Sequence, residues 1–216
     1  MSIGEKQLNA WSNKFGRDYV SRNQATANAI EQRKNAFKSI FDHIADTEAP
    51  ASILEAGSNI GINIHALAEI TNATLHAVEP NREALDKLIS SNVIPAKRAL
   101  QGSLQFLPFD DSSIELVFTS GVLIHIPDEA LDQAISEILR VSSRYILTLE
   151  YFSPKPQSIP YHGHNDFLFK RDYGGVFLDA CPELEYVADG FFWKRVTGLD
   201  DLNWWLFRKP SVVCES

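Results

Sequence analysis

Short apolar runs alternate with amphipathic stretches through the middle of this chain. Apolar runs predict strands over Ser52–Glu55, Thr74–Val78, Arg98–Gly102, Ile114–Thr119 and Tyr145–Leu149. Between them, apolar residues at helical spacing predict helices over Gly61–Glu69, Arg82–Ser90 and Ala130–Val141. Such alternation is typical of an α/β fold, in which helices cover both faces of a largely parallel sheet.

Both ends of the chain depart from this pattern. Asn23–His43 predicts one long helix, which Glu48-Ala49-Pro50 ends, so residues 1–49 form a predicted helical extension and 50–216 one domain. Residues 151–175 are rich in Pro, His, aromatic residues and Gly, and predict an elaborated loop. Glu185–Lys194 and Leu202–Lys209 predict two final strands, which must be antiparallel because their connection is short.

Composition narrows the class of protein. The 216 residues are 44% hydrophobic, enough for one sizeable core. A net charge of −8 disfavours a nucleic-acid partner, and no apolar run is long enough to span a bilayer. The first residues have no apolar core, so we do not expect a secreted protein. Cys181 and Cys214 lack metal-ligand spacing and fit a reducing cytoplasm. The expected partner is a small molecule in the cytoplasm, with no metal; the oligomeric state is left open.

The candidate chemistry begins where the first strand ends. Glu55, Gly57 and Gly61 form a Glu-x-Gly-x-x-x-Gly turn, and Glu79 ends the second strand about twenty residues later. Glycines let a ligand approach the backbone, and the second acid suits ribose hydroxyls. The acid before Gly57 would repel a pyrophosphate but suits an amine and a sulfonium. These features favour S-adenosylmethionine over NAD.

With these motifs, residues 50–209 resemble class I S-adenosylmethionine-dependent methyltransferases. The resemblance implies a Rossmann-like fold: a mostly parallel, seven-stranded sheet that ends in an antiparallel strand, here with an N-terminal helical extension. Asn59 stands where a middle glycine is commoner, and Ser103 where many members have aspartate. The cofactor-binding residues that the resemblance implies are Glu55, Gly57, Ser58, Asn59, Gly61, Glu79, Pro80, Asn81, Gly102, Ser103, Leu104, Ser120, Gly121, Val122 and His125.

A narrower resemblance involves three further segments. Trp11–Asn23, Gly121–Pro127 and Lys170–Gly174 look like methylases associated with pseudaminic acid biosynthesis. That resemblance suggests surface-glycan or nonulosonic-acid metabolism as the context. The predicted substrate-binding residues are Trp11, Tyr19, Arg22, Asn23, Tyr151, His162, His164, Lys170 and Arg171.

Several residue roles have two interpretations. His125, just past the fourth strand, is either a general base or a structural or cofactor contact. His162, His164 and Asp166 form either a metal site or, as we favour, part of an acceptor-binding loop. Trp11 begins an aromatic stripe that continues through Phe15 and Tyr19 and either packs in the core or forms a lid.

The sequence thus predicts an S-adenosylmethionine-dependent methyltransferase that acts on a small, anionic sugar or nucleotide-linked metabolite. O-methylation is favoured, because a sulfonium donor needs mainly an aligned and desolvated nucleophile. The product would be S-adenosylhomocysteine. N-methylation and a non-catalytic cofactor-binding protein are the alternatives.

Overall fold

The computed structural model describes residues 3–13, 16, 20, 23–161 and 167–210. Within them the helices are α1 Ile3–Ser12, α2 Ala27–Phe41, α3 Ile62–Ala68, α4 Arg82–Ser90, α5 Asp128–Val141, α6 Tyr173–Ala180 and α7 Lys194–Thr197. The strands are β1 Ser52–Ala56, β2 Thr74–Glu79, β3 Ala99–Gln101, β4 Ile114–Ser120, β5 Ser142–Glu150, β6 Gln157–Ser158, β7 Phe169–Lys170, β8 Glu185–Phe192 and β9 Leu202–Arg208. Short 3-10 turns cover Asp46–Glu48, Ala96–Arg98 and Leu123–His125.

Seven strands form one sheet in the order β3-β2-β1-β4-β5-β9-β8. Neighbours from β3 to β5 are parallel, whereas β9 is antiparallel to both β5 and β8. The predicted fold is therefore confirmed. The chain order reverses between β1 and β4, and ligands of open α/β sheets bind beyond the carboxyl ends of the strands at such a point.

The sheet separates two apolar layers. On one face, Phe37 of α2 packs edge-on against Phe118 of β4, with ring centroids 5.3 Å apart. On the other face, Phe177 of α6 and Phe207 of β9 lie in the same core as α5. Successive strand residues point to opposite faces, so a central strand buried on both sides must be apolar almost throughout.

Short polar side chains fix where several helices begin. Thr26 Oγ1 accepts a hydrogen bond from the Ala29 N–H, and Asn81 Oδ1 accepts one from the Ala84 N–H. Asp172 Oδ1 does the same for Gly175 at the start of α6. Each satisfies a backbone donor that has no partner within its helix.

The predicted loop over residues 151–175 needs correction. It contains the paired strands β6 and β7, and its last residues already belong to α6. Gly174 and Gly175 weaken the helix signal there, because glycine is a poor helix former. Close packing on Trp205 explains why residue 174 is a glycine, because a Cβ on Gly174 would lie 2.5 Å from the indole ring.

Candidate active site

The turn after β1 has the left-handed backbone that its residues allow. Gly57 has φ +91° and Gly61 has φ +79°, while Asn59, at φ +49°, takes the place of the commoner glycine. A Cβ on Gly57 would lie 2.6 Å from Val122 Cγ2, and one on Gly61 would overlap Leu88. The turn therefore requires glycine at both positions for shape as well as for φ.

Glu79 lies at the carboxyl end of β2, close to this turn. Its Oε2 accepts a hydrogen bond from the Asn59 N–H and its Oε1 one from the Asn81 N–H, each 2.8 Å long. Burial raises the pKa of Glu79 to about 7, against the lowering effect of these two hydrogen bonds. The acid is thus held in a fixed orientation by two loops.

Glu55 and Ser58 place buried polar atoms beside the first turn. Glu55 Oε1 accepts a hydrogen bond from Asn63 Nδ2 at 2.6 Å, but its Oε2 and Ser58 Oγ have no partner among the described residues. Burial raises the pKa of Glu55 to about 8. Buried polar groups are normally satisfied, so these two atoms mark the region directly behind the glycine turn as an unusually polar one.

A cleft opens at the carboxyl edge of the sheet, where the turns after β1, β2 and β4 meet. Of the predicted cofactor residues, those that line it are Gly57, Asn59, Glu79, Pro80, Ser103, Leu104, Ser120, Gly121, Val122 and His125. Gly121 has φ +64°, and a Cβ there would meet no atom of the described residues within 4 Å. The main chain at Gly121 is therefore open for a ligand to approach.

The other predicted cofactor residues lie behind the cleft. Glu55 and Ser58 are buried beside the first turn, and Gly61 precedes α3. Asn81 caps α4, and the Gly102 N–H donates to the Glu79 carbonyl at 3.3 Å. These residues support the lining rather than form it.

Helix α1 covers the cleft and is held at both ends. The Gly4 N–H donates to Glu129 Oε1 at 2.5 Å, and Asn81 Nδ2 donates to the Trp11 carbonyl at 2.9 Å. Gln7, Leu8 and Trp11 complete the cleft wall. The first member of the aromatic stripe therefore lies over the cleft; Phe15 and Tyr19 fall outside the described residues.

His125 lies in the cleft wall at the end of the 3-10 turn. Its Nδ1 is 2.6 Å from the Phe167 carbonyl oxygen, a geometry in which Nδ1 carries the proton and donates it. Burial lowers the pKa of His125 to about 4. The ring is neutral at physiological pH, with a lone pair on Nε2, and it packs between Trp11 and Tyr161 at centroid distances of 4.4 and 5.4 Å.

Glu150 is a site residue that sequence reasoning missed. It ends β5, is fully buried, and accepts hydrogen bonds from three consecutive N–H groups, those of Val122, Leu123 and Ile124. Burial raises its pKa to about 7. The available signal was an acid directly after the buried run Tyr145–Leu149 of β5, the same position that Glu79 has on β2.

The predicted substrate-binding residues are only partly brought together. Lys170 Nζ lies 5.4 Å from the centre of the Tyr151 ring, and β7, which carries Lys170, packs beside the 3-10 turn that ends at His125. Asn23 lies before α2, where its N–H donates to the Val20 carbonyl. Tyr19, Arg22, His162 and His164 lie outside the described residues.

Arg171 is corrected from an acceptor-binding residue to an internal one. Its side chain is buried, and its guanidinium donates to the Asp128 carboxylate, to the Ile126 carbonyl and to the Tyr173 hydroxyl. These partners occupy the fork that an acceptor's anion would need. The sequence motif Lys170–Gly174 indicates a basic residue at this position but not the direction of its side chain.

In the described part of the chain, no group of three His, Cys, Asp or Glu side chains could hold a metal ion. None of the described helices is long and apolar enough to span a bilayer.

Comparison with known proteins supports the methyltransferase class that the sequence predicts. Residues 53–144 match the model of a methyltransferase domain. No curated protein matches the chain in sequence. The narrower resemblance at Trp11–Asn23 lies outside the matched residues.

Solved structures with similar folds include three methyltransferases. One is an S-adenosylmethionine-dependent methyltransferase from Leishmania major, with 16% identity over 94% of this chain and 82% of that one, and a TM-score of 0.67. Another is magnesium protoporphyrin IX methyltransferase from Synechocystis with bound S-adenosylhomocysteine, with 16% identity, 95% and 100% coverage, and a TM-score of 0.67. The third is 1,6-didemethyltoxoflavin-N1-methyltransferase from Burkholderia thailandensis, with 13% identity, 97% and 91% coverage, and a TM-score of 0.67.

The fold and the cleft define a class I methyltransferase architecture. The methyltransferase-domain match over residues 53–144 supports the predicted methyl transfer from S-adenosylmethionine. The predicted enzyme class and cofactor are therefore confirmed.

Proposed function

We propose that this enzyme transfers the methyl group to an oxygen of a small, anionic acceptor, a sugar or a nucleotide-linked metabolite, in surface-glycan biosynthesis. The observation that carries the proposal is the neutral His125 in the cleft wall, whose Nε2 can only accept a hydrogen bond. It suits an acceptor that presents a hydroxyl. The glycan context rests on the resemblance of Trp11–Asn23 to nonulosonic-acid methylases.

The residues present fit the cofactor. Glu79 would receive the ribose hydroxyls, since its fixed carboxylate lines the cleft. Ser103 and Leu104 would contact the adenine, and the Gly57 turn with the open main chain at Gly121 would take the methionine portion. When bound, the sulfonium supplies an activated methyl group.

The chain's own contribution is alignment, desolvation and a hydrogen bond. His125 Nε2 accepts a hydrogen bond from the acceptor's hydroxyl and orients the oxygen. As the O–CH₃ bond forms and the S–CH₃ bond breaks, the oxygen becomes acidic and gives its proton to Nε2, and the lowered pKa of about 4 lets the imidazole release that proton to solvent. Trp11 and Tyr161 enclose the imidazole and exclude water. Near-attack positioning can supply much of the rate in such a transfer, so a stronger base is unnecessary.

Recognition of the anion is assigned to Lys170. Arg171, the other predicted cation of this segment, is bound to Asp128 and to the protein's own carbonyl and hydroxyl groups. Lys170 Nζ is held near Tyr151 through a cation–π contact and is only partly buried. Arg22 is a second candidate, proposed from sequence.

The proposal is tested with S-adenosylmethionine carrying a ¹³C-labelled methyl group and a panel of acidic sugars, nucleotide-linked sugars, neutral sugars and amines. We expect an O-methyl carbon signal and a preference for acidic acceptors. An N-methyl product, or neutral acceptors used with equal kcat/KM, would contradict the proposed acceptor. If S-adenosylhomocysteine binds but no member of the panel reacts, the non-catalytic alternative is favoured.

Lys170 is tested separately with the acceptor so identified. Lys170→Ala should raise the acceptor's KM by roughly tenfold, as expected for a lost hydrogen bond to a charged group. Lys170→Arg should retain most of the affinity, and Lys155→Ala, an exposed lysine of the same segment, serves as the control. An unchanged KM in Lys170→Ala would place the anion elsewhere.

A further inference from the structure

The segment that carries His125 is held from two sides by buried polar groups. On one side, the Glu150 carboxylate accepts the N–H groups of Val122, Leu123 and Ile124 at 3.2, 3.1 and 3.3 Å. Glu150 comes from β5, which lies beside β4 in the sheet. Three consecutive amides that converge on one carboxylate fix the path of the chain directly before His125.

On the other side, residues that follow β7 bind the same segment through its carbonyl groups. The Tyr173 hydroxyl donates to the Leu123 carbonyl at 3.1 Å. Arg171 donates to the Ile126 carbonyl at 3.2 Å, and its Nη1 also donates to the Tyr173 hydroxyl at 3.0 Å. Both side chains are buried, so these bonds are shielded from water.

We propose that Glu150 is a positioning residue for methyl transfer: with Arg171 and Tyr173, it holds the turn that aims His125 and Gly121 at the reacting groups. This inference rests on the proposed function, because it supposes that His125 serves the acceptor. It also gives a role to the Lys170–Gly174 segment, whose residues the sequence singled out for acceptor binding. Glu150 acts through other residues and need not touch a ligand.

The three bonds require a carboxylate rather than an amide. Both Glu150 oxygens accept, Oε1 from two of the N–H groups and Oε2 from the third. A glutamine would present an NH₂ group in place of one oxygen, directed at an N–H donor, and neither could be satisfied. The Thr119 hydroxyl of β4 and the Tyr173 hydroxyl of α6 also lie near Glu150, but each is already bonded elsewhere, to Thr148 Oγ1 and to the Leu123 carbonyl.

The test is Glu150→Gln in the full-length, ¹⁵N-labelled protein, with two readouts that need no acceptor. The His125 imidazole is followed by long-range ¹H–¹⁵N NMR through a pH titration, and S-adenosylhomocysteine affinity is measured by calorimetry. We expect the pKa of His125 to rise from about 4 towards its ordinary 6.5, because the turn loosens and water enters. Affinity for S-adenosylhomocysteine should fall by about tenfold, since Gly121 and Val122 line its cleft.

Two variants make the outcome specific. Glu137→Gln alters another buried acid that accepts a backbone N–H, that of Leu107, and should leave the His125 signals in place. Tyr173→Phe removes one hydroxyl from the opposite side and should shift the same signals even if Glu150→Gln fails to fold. Wild-type His125 signals in a folded Glu150→Gln variant would overturn the inference. If Glu150→Gln does not fold, wild-type His125 signals in Tyr173→Phe would overturn it. A wild-type protein that does not bind S-adenosylhomocysteine would overturn the proposed function instead.

Discussion

The ribose assignment is tested by replacing Glu79 with glutamine. Both Glu79 oxygens already accept a 2.8 Å hydrogen bond, from the N–H groups of Asn59 and Asn81, so the carboxylate is oriented before any ligand arrives. The glutamine side chain has one acceptor oxygen in place of the two of the Glu79 carboxylate, and its NH₂ group faces a backbone N–H that it cannot accept. The loss of a hydrogen bond to a charged group costs about 1.5–3 kcal/mol, which corresponds to roughly a 10–150-fold weaker affinity.

Titration calorimetry with S-adenosylhomocysteine measures this loss. Glu83→Gln is the matched control: it removes the same charge from an exposed position on α4, where Glu83 pairs with Lys87 at 3.5 Å, and should leave the affinity unchanged. Equal affinities for the wild type and Glu79→Gln would refute the assignment of Glu79 to the ribose.

The pH dependence gives a second reading of the same carboxylate. Burial raises the pKa of Glu79 to about 7, and ribose hydroxyls donate to its ionised form. Affinity should therefore be constant above that pH and fall by about tenfold per pH unit below it. Glu79→Gln should lose this dependence; a wild-type profile that is flat from neutral to acidic pH contradicts the expectation.

Three further predictions concern other parts of the site. Gly121→Ala should keep the fold, with a cost of about 1 kcal/mol to the free energy of unfolding for its positive φ. It should weaken S-adenosylhomocysteine binding, because its Cβ would enter the open side of the cleft; unchanged binding would show that the ligand does not approach the main chain of Gly121. Arg171→Ala should lower the free energy of unfolding by about 1–3 kcal/mol, measured in urea, because it leaves the Ile126 carbonyl unpaired, and an unaltered midpoint would contradict its structural role. Burial raises the pKa of Glu55 from 4.5 to about 8, so the folded ligand-free protein binds a proton that the unfolded chain releases. The thermal stability of the protein should therefore fall as the pH rises from 6.5 to 8. Glu55→Gln should reduce this slope of stability against pH, and an equally steep slope in the variant would contradict the prediction.

The parts of the fold that the sequence predicts depend on local chemistry. Arg82–Ser90 was predicted as a helix and has those bounds, because Asn81 caps it and its apolar residues recur at helical spacing. The turn at Gly57 is similarly local, since φ and close packing against a neighbouring loop both demand glycine. Residues 173–175 were missed because two glycines hide a helix that tertiary packing on Trp205 stabilises.

The side-chain partners of the site are the part that the sequence could not supply. Arg171 bonds to Asp128, 43 residues earlier, and an isolated basic motif gives no sign of this. Glu150 receives amides from residues 26 to 28 positions before it, across the β4–β5 pair. Helix α1 reaches the cleft through Gly4 and Glu129, which are 125 residues apart. Only the folded sheet brings these groups together.

The central claim, that the cleft between the turns at Gly57, Glu79 and Gly121 binds S-adenosylmethionine, is tested most directly by calorimetric titration of the full chain with S-adenosylhomocysteine and, separately, with NAD. We predict one saturable site for S-adenosylhomocysteine, weakened in Glu79→Gln, and no saturable heat with NAD, because Asn59 stands where a dinucleotide-binding turn has its middle glycine. Saturable binding of NAD without binding of S-adenosylhomocysteine would contradict the account.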